Sequence, residues 1–518
     1  MTMIHQKAGT LSEEKIDLEI LRKSFFEPKG EIAKVKFGTS GHRGSLGCGF
    51  CAMHAKAIAQ AVATLHTEEG LLGKILVGGD TRLMSKTTAE ICAQVLSANG
   101  FRVVLPSLAV PTPVFSFEIL SGRVCAALNG TASHNPPQDM GLKYNPSNGG
   151  PASSVLTKKI EDLANYYLEN PQKIKEISLE EARKKGLVEE ADIITPYIEA
   201  LGGKINFDVI RKSNIKAAIT PLGGASLPFY KAIIKKYKLK NVELVLSEQN
   251  PDFHFIPLDH DGKIRMDPSS IYPMKPLIEL VKNSDYDFVG ASDPDADRFG
   301  CATKKGGLIA PNHALCVILD YMARKAGKNA PKKVGRTLGT TMLMDKIAQH
   351  YGLGIEEVNV GFKYFVDGLL NKELLMAGEE SAGMSITNWI TEKDGILAVC
   401  LLLEIMCATG QDIAGLYEQL TALYGTSYYT RVDSSARPEI KEKFKNLKAE
   451  SFAELKTFAG AKVLRVRDTD GIKIYLKDSW LLARASGTEN IIKLYAETFK
   501  SQKYLEDLIN EGRKIFGL

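Results

Sequence analysis

From about residue 35 to 420, short apolar runs alternate with amphipathic stretches, the layering expected of α/β units with mainly parallel strands. Residues 74–80 read as a buried strand running into a polar loop. The segments on either side, about 51–68 and 84–99, carry helical periodicity and stop at Gly70 and Gly100, suitable positions for C-caps. Residues 101–105 predict the next strand, and 124–128 another that delivers a serine-bearing loop at its carboxyl end. A second unit opens with a strand at 214–220 and closes with one at 286–291, which feeds a loop of three aspartates. A third spans roughly 308–423, with strands at 334–338, 355–360 and 374–377. The segment 425–435 is polar with few apolar anchors and predicts a linker, followed by a smaller α+β domain. Between 155 and 195, a Lys/Glu-rich helical stretch predicts a solvated connector. No internal repeat is visible in the letters.

At 518 residues the chain exceeds what one core supports, so three or four domains are expected. The net charge of +5, from 66 basic and 61 acidic residues, suits small anionic substrates. It gives no case for nucleic acid, which needs clustered Lys and Arg. Eight cysteines lie scattered through the chain, unlike a disulfide framework, and the pair in Cys48-Gly49-Phe50-Cys51 has no second CxxC to complete a zinc site. No apolar run approaches the roughly 18 residues of a membrane span, and the first residues lack a signal-type core. A cytoplasmic protein with no membrane partner is expected, and the sequon Asn129-Gly130-Thr131 then carries no meaning.

The chemistry gathers in loops. Thr131-Ala132-Ser133-His134-Asn135-Pro136-Pro137 carries one serine beside a histidine and an amide, stiffened by two prolines. About 160 residues later comes Asp293-Pro294-Asp295-Ala296-Asp297-Arg298. A hydroxyl that carries phosphate needs a divalent cation, and three carboxylates at alternate positions hold one compactly; hard oxygen ligands suit Mg²⁺. An EF-hand would place Gly sixth and Glu twelfth, where this loop has Arg298 and Lys304. An aspartyl-phosphatase loop of the DxDx[TV] type meets Asp297 at its fifth position. A plain acidic surface turn stays open, although the preceding strand is strongly apolar and α/β sheets bind ligands beyond the carboxyl ends of strands.

Three further loops admit two readings each. Gly38-Thr39-Ser40-Gly41-His42-Arg43-Gly44 is an oxyanion cradle or an ordinary glycine turn. Gly378-Glu379-Glu380-Ser381-Ala382-Gly383 accepts hydrogen bonds from sugar hydroxyls or caps a helix. Arg484-Ala485-Ser486-Gly487-Thr488-Glu489-Asn490 is an anion cup or a β-turn.

Taken in order, these loops resemble the α-D-phosphohexomutase superfamily and are most similar to its bacterial α-D-glucose-specific phosphoglucomutase branch. The resemblance is carried by FGTSGHRG (37–44), TASHNPPQDMGLKYNPSNGGPA (131–152), DHDGKIRMD (259–267) and DPDADR (293–298). It continues through VNVGFKYFVDGLL (358–370), GEESAG (378–383), EKDGI (392–396) and RASGTEN (484–490), and so covers nearly the whole chain. It implies four domains around a central cleft: three related α/β domains with mixed sheets, then a C-terminal α+β, TBP-like lid. These are 1–204 with the phosphoserine loop, 205–307 with the metal loop, 308–424 with the sugar loop and 425–518 with the phosphate loop.

Carried over by position, the resemblance makes Ser133 the phosphoserine, with Mg²⁺ held by Asp293, Asp295, Asp297 and a phosphoserine oxygen. Glu379 and Ser381 hold sugar hydroxyls, while Arg484, Ser486, Gly487 and Thr488 hold the substrate's non-reacting phosphate. Thr39 joins the substrate-binding set; Arg43, His134, Lys143, Arg298 and Lys393 surround the transferring phosphoryl group, Lys393 as acid/base. The activity implied is interconversion of α-D-glucose 1-phosphate and glucose 6-phosphate through a glucose 1,6-bisphosphate intermediate, by a monomer or homodimer. GEESAG is the glucose-type sugar loop, where dual-specificity and glucosamine enzymes resemble GEMSGH and GEQSGH. Two departures stand out: Asn129-Gly130 interrupts the apolar lead-in to the serine loop, and Ala132 and Ala485 replace prolines of some relatives. The rivals are a mutase for mannose, glucosamine or pentose phosphates, a phosphatase, and a non-catalytic relative.

Overall fold

The computed structural model describes residues 4–38, 41–485 and 491–518 and builds them on four sheets. The first runs in the spatial order Gly41–Ser45, Asp139–Asn145, Ala126–Gly130, Ile75–Gly79, Val103–Val104, Val188–Glu189. The second runs Gly307–Leu308, Phe299–Thr303, Phe288–Ser292, Ala217–Thr220, Val242–Leu244, and the third Gly354–Val358, Lys333–Thr337, Leu374–Glu379, Gly383–Ile386. Each has a parallel core, as the apolar runs predict, but each turns antiparallel at the same place.

That shared place is where the chemistry sits. In each sheet a buried strand with a parallel neighbour ends in a short loop and returns as an antiparallel partner. The three loops are those of Ser133, of the aspartates, and of Glu379. Each also contains one non-glycine residue with left-handed backbone: Ser133 at φ 53°, Ala296 at φ 55° and Ala382 at φ 69°. The repeat absent from the letters is therefore present in the backbone.

One apolar cluster joins these three units, from Phe115 through Tyr197, Phe229 and Ile233 to Leu315 and the helix Gly395–Thr409. That helix is apolar on nearly every side because every residue from Gly395 to Met406 is buried. Among the described residues, no single helix is long and apolar enough to cross a membrane. The fourth sheet is wholly antiparallel and has its own core, with Leu505, Leu508 and Phe516 of the helix Gln502–Phe516 packed on one face.

Four sequence expectations are corrected. Residues 425–435 do not form a linker: Tyr428–Ser435 is the edge strand of the fourth sheet, paired from Tyr428 opposite Thr498 to Ser435 opposite Ile491. An edge strand with one open side carries polar residues without losing its ladder, which is why it reads as a loop. Nor is 155–195 a solvated connector. The helix Ser154–Glu169 buries Ile160, Ala164 and Tyr167 against the helix Ala52–Glu68, and the Tyr167 hydroxyl meets Thr64 Oγ1 at 2.7 Å. Its apolar stripe at i, i+4 and i+7 is hidden among lysines and glutamates. The strand expected at 124–128 is displaced to Ala126–Gly130, and that expected at 101–105 pairs only over Val103–Val104.

Candidate active site

Ser133 is buried, at 2% exposure. Its backbone N–H donates to Thr131 Oγ1 at 2.8 Å, and its Oγ donates to Asp293 Oδ2 at 2.6 Å, across the boundary between the first and second units. His134 Nδ1 lies 3.3 Å from the same Oγ. The serine and aspartate loops, 160 residues apart in sequence, are thus in direct contact.

Asp293, Asp295 and Asp297 offer carboxylate oxygens within 4.8 Å of one another, all three side chains buried. Among the described residues, no other set of His, Cys, Asp or Glu converges in this way. Burial and the charges of Asp295 and Asp297 push the Asp293 carboxyl well above the usual range. Burial would raise Asp297 too, but Lys143, Lys393 and Arg298 outweigh it and hold that carboxylate well below its ordinary value. Lys143 Nζ donates to Asp295 Oδ2 at 2.6 Å and Asp297 Oδ2 at 3.0 Å, and Lys393 Nζ lies 3.2 Å from Asp297 Oδ2. The buried Oδ1 atoms of Asp295 and Asp297 have no hydrogen-bond partner. Three acidic groups with open lone pairs in one cup fit a divalent cation bound by oxygens.

The aspartate loop is fastened from the first unit. Thr112 Oγ1 donates to Asp295 Oδ2 at 2.7 Å and Thr112 N to Asp295 O at 2.7 Å. Asn129 Nδ2 donates to Thr112 Oγ1 at 2.8 Å, leaving the hydroxyl proton for the carboxylate. The polar interruption Asn129 in an otherwise apolar strand is therefore a buttress of the aspartate loop. From the third unit, Gly395 N donates to Ala296 O at 2.9 Å, and a Cβ on Gly395 would meet Arg298 O at 2.2 Å. This close approach, open only to glycine, sets Lys393 beside Asp297.

His134 sits between Ser133 and Asp267. Burial, then the Arg298 charge, lowers its pKa to about 3, so the ring is neutral. The 4.0 Å separation of Nε2 from Asp267 is accordingly no ion pair. Asp267 instead accepts from Arg298 Nη1 at 3.1 Å. Arg43 lies on the strand Gly41–Ser45, opposite Gly141 and two residues from Gly41, which faces Lys143. Its charge bears on both His134 and Lys143. Glu379 is buried and accepts from Gly361 N at 3.1 Å; burial pushes its pKa up to about 7. Ser381 is half-buried in the same loop.

Arg484 stands at the edge of the fourth unit, its Nη2 donating to Asp470 Oδ1 at 3.0 Å. Asp470 Oδ2 in turn accepts from Val360 N at 2.9 Å, which links the terminal unit to the third. Thr39, Ser486, Gly487 and Thr488 lie outside the described residues. Sequence reading missed Thr112, Asp267 and Asp470. Asp267 closes the segment DHDGKIRMD and Asp470 sits in an Asp-Gly turn, so both had a local signal. Thr112 had none, because its partners Asn129 and Asp295 are far along the chain.

Four family models for the phosphoglucomutase/phosphomannomutase domains match in order: alpha/beta/alpha domain I over residues 34–170, domain II over 195–307, domain III over 310–424, and the C-terminal domain over 439–514. A phosphoglucomutase from Komagataeibacter xylinus is 39% identical, the match covering 96% of this chain and 94% of the relative. A phosphoglucomutase/phosphomannomutase from Thermococcus kodakarensis is 27% identical over 92% of this chain and 98% of its own. The crystal structure of a candidate phosphomannomutase from Thermus thermophilus superposes with a TM-score of 0.78 at 27% identity, covering 94% of this chain and all of that one.

Proposed function

The chain belongs to the phosphoglucomutase/phosphomannomutase family, and from that footing we propose that it is an isomerase interconverting α-D-glucose 1-phosphate and glucose 6-phosphate through Ser133. The observation that carries the reading is the 2.6 Å contact of Ser133 Oγ with Asp293 inside the buried acidic cup. The glucose-type loop GEESAG and the 39% identity to a phosphoglucomutase favour glucose over other sugars. We take the units as 1–204, 205–307, 308–424 and 425–518, each contributing one loop to the cleft.

In the first half-reaction the bond from phosphorus to Ser133 Oγ breaks as a bond to the sugar 6-hydroxyl oxygen forms, and the hydroxyl proton passes to the protein. The resulting glucose 1,6-bisphosphate turns over in the cleft. In the second half its C1–O–P linkage breaks at phosphorus, Oγ is phosphorylated again, and the freed sugar oxygen takes the proton back. No water or net proton is consumed. One nucleophile serves both halves because the sugar reverses rather than the protein.

Mg²⁺ held by Asp293, Asp295, Asp297 and a phosphoserine oxygen would neutralise charge on the transferring group. Lys143, Arg43 and Arg298 bring fixed positive charge to the same place. Lys393, at 3.2 Å from Asp297, is the proposed acid/base: burial is outweighed by Asp297 and Glu392, which keep its ammonium charged, so it gives a proton to the departing oxygen as the attacking hydroxyl returns one to it. Glu379 and Ser381 orient the sugar hydroxyls, and Thr39 belongs to the substrate-binding set. Arg484, Ser486, Gly487 and Thr488 hold the distal phosphate. We propose a cytoplasmic monomer or homodimer whose partner is the sugar phosphate alone.

The test is the rate of glucose 6-phosphate formation from glucose 1-phosphate, coupled to its oxidation. Wild type should turn over, and Ser133→Ala should lose roughly 10⁶-fold, the scale for deleting a nucleophile, with unchanged circular dichroism. Retained mutase activity in Ser133→Ala contradicts the covalent route. Sustained release of inorganic phosphate indicates a phosphatase, and a higher kcat/KM on mannose or glucosamine phosphates reassigns the sugar.

A further inference from the structure

Ser133 occupies a conformation that its own chemistry disfavours. At φ 53° it lies in the left-handed region, where an L-residue other than glycine brings its Cβ too close to the following carbonyl oxygen. Something outside the loop must hold it there. Prolines 136 and 137 restrict their own backbone and that of the residue before each, a local restraint that acts at 135–137 and not on the dihedrals of residue 133.

The restraint comes from Arg82, whose side chain is 1% exposed. Its Nη2 donates to the carbonyl oxygens of Ser133 at 2.5 Å and Asn135 at 2.6 Å, and its Nη1 to those of Pro136 at 2.8 Å and Asp139 at 3.1 Å. Four carbonyls of one seven-residue stretch thus turn inward onto a single guanidinium. Without a cation at their centre these carbonyl oxygens would face one another and lose their shared donor, although that of Pro136 also accepts from Asp139 N at 3.0 Å. The planar fork matches them; an ammonium has three donors at one point and cannot span the set.

Arg82 is itself anchored. Asp80 Oδ2 lies 3.3 Å from Arg82 Nε, and Asp80 Oδ1 accepts from Arg82 N at 2.9 Å. Thr131 Oγ1 donates to Asp80 Oδ2 at 2.6 Å and accepts from Ser133 N at 2.8 Å. Ser133 is therefore gripped on both sides of its Cα: the N–H through Thr131 and Asp80, the carbonyl by Arg82. These two grips fix φ and ψ, and with them the direction in which Oγ leaves the backbone toward Asp293.

We propose that Arg82, backed by Asp80 and Thr131, is the positioning residue that holds Ser133 in its left-handed conformation and aims Oγ into the acidic cup. The proposal rests on the role of Ser133 given above. It makes Arg82 a determinant of phosphoryl transfer without any contact to the sugar.

The experiment measures phosphorylation of the full chain by glucose 1,6-bisphosphate with Mg²⁺, by quenched intact-mass analysis, alongside steady-state kcat and KM for glucose 1-phosphate. Arg82→Lys should slow both phosphoryl transfer and kcat by about 10²-fold, the scale for misplacing a reacting atom by 1 Å, and leave KM unchanged. Guanidinium at low concentration should restore transfer in Arg82→Ala, whereas ammonium should not. Thr131→Val, which removes the acceptor for Ser133 N without touching the guanidinium, should lower kcat in the same direction and serves if the Arg82 variants do not fold. Wild-type transfer rates in Arg82→Lys or in Thr131→Val overturn the proposal, as does a loss that follows only thermal stability with a rising KM. Because Ser133→Ala removes the phosphoenzyme altogether, failure of the underlying function is seen separately from failure of the positioning role.

Discussion

The junction between the serine and aspartate loops and the seam between the third and fourth units are both interdomain contacts, yet they are built differently. At the first, Ser133, Asp293, Asp295, Asp297 and Lys143 are each at most 3% exposed, and Thr112, Asn129 and Gly395 fasten the loops from two units. The apolar cluster beneath runs on without a break. At the second, the shared apolar contacts are Leu338 against Trp480, Leu482 and Tyr495, with Phe499 on the edge of the large cluster. Polar bonds make up much of the rest: Asp470 on Val360 N, Asn359 on Thr469 and Arg467, and two glutamates. Glu357 accepts from Arg336 Nη1 and Lys473 Nζ, each at 2.8 Å, from the Tyr475 hydroxyl, and from Arg467 Nη1 at 3.4 Å. Glu497 accepts from Met342 N and Trp480 Nε1 at 2.7 and 2.8 Å, and from the Thr341 hydroxyl. Precision is thus concentrated around Ser133 and the three aspartates. The serine and aspartate loops are locked by continuous packing, whereas the unit bearing Arg484 is clipped on largely by polar bonds.

Breaking the locked side should give the largest effect. Asp295→Asn removes a ligand and a lysine partner together, so the Mg²⁺ concentration for half-maximal activity should rise by at least about 100-fold, measured by titrating chelated enzyme. An unchanged Mg²⁺ dependence contradicts the carboxylate assignment. On the clipped side, Arg484→Ala should raise KM by about 10- to 100-fold, the worth of a charged hydrogen bond of about 1.5–3 kcal/mol, with a smaller change in kcat. If KM does not move, the terminal loop has another role.

Glu379 adds a titratable contrast from the third unit. Burial puts its pKa at about 7. Only the carboxylate is a pure acceptor for sugar hydroxyls, so kcat/KM should fall as pH drops through about 7. Glu379→Gln should lose that limb of the profile; persistence of the limb assigns it to another group.

Glu357→Gln tests the seam itself. Burial alone would raise this carboxyl, but Arg336 and Lys473 outweigh it and lower the pKa from 4.5 to about 2. A depressed carboxyl contributes stability above pH 4.5 and loses it as pH falls toward 2. Burial and Arg336 also push the Lys473 ammonium down to about 7. Its acceptors, Leu338 O at 2.6 Å and Glu357 at 2.8 Å, and the Trp480 face at 4.2 Å favour the charged form, so Glu357 is the group that opens the seam in acid. Glu357→Gln should cost about 3 kcal/mol in urea melts at neutral pH, and acid destabilisation of wild type below pH 4.5 should be blunted in the variant. Equal acid sensitivity of the two proteins contradicts this role.

Much of the chemistry was legible in the sequence because it is local. The serine with its histidine, and three aspartates at alternate positions, are short strings whose spacing constrains what they hold. What was not legible depends on contacts between distant residues. Arg82 reads as an ordinary arginine after a strand until its guanidinium is seen on the carbonyls of 133–139. Tyr428–Ser435 reads as a linker because an edge strand does not need apolar residues on both faces. The threefold recurrence of the chemical hairpins is invisible in the letters because only backbone shape repeats, and a serine and two alanines occupy its left-handed position.

The whole reading stands on Ser133 itself carrying the phosphoryl group. Intact-mass measurement of the full chain, before and after glucose 1,6-bisphosphate, is the decisive experiment. One added phosphoryl group, mapped to Ser133 and removed on chasing with glucose 1-phosphate, is the expected result. A protein that turns over substrate while its mass never changes, or whose label maps elsewhere, contradicts it.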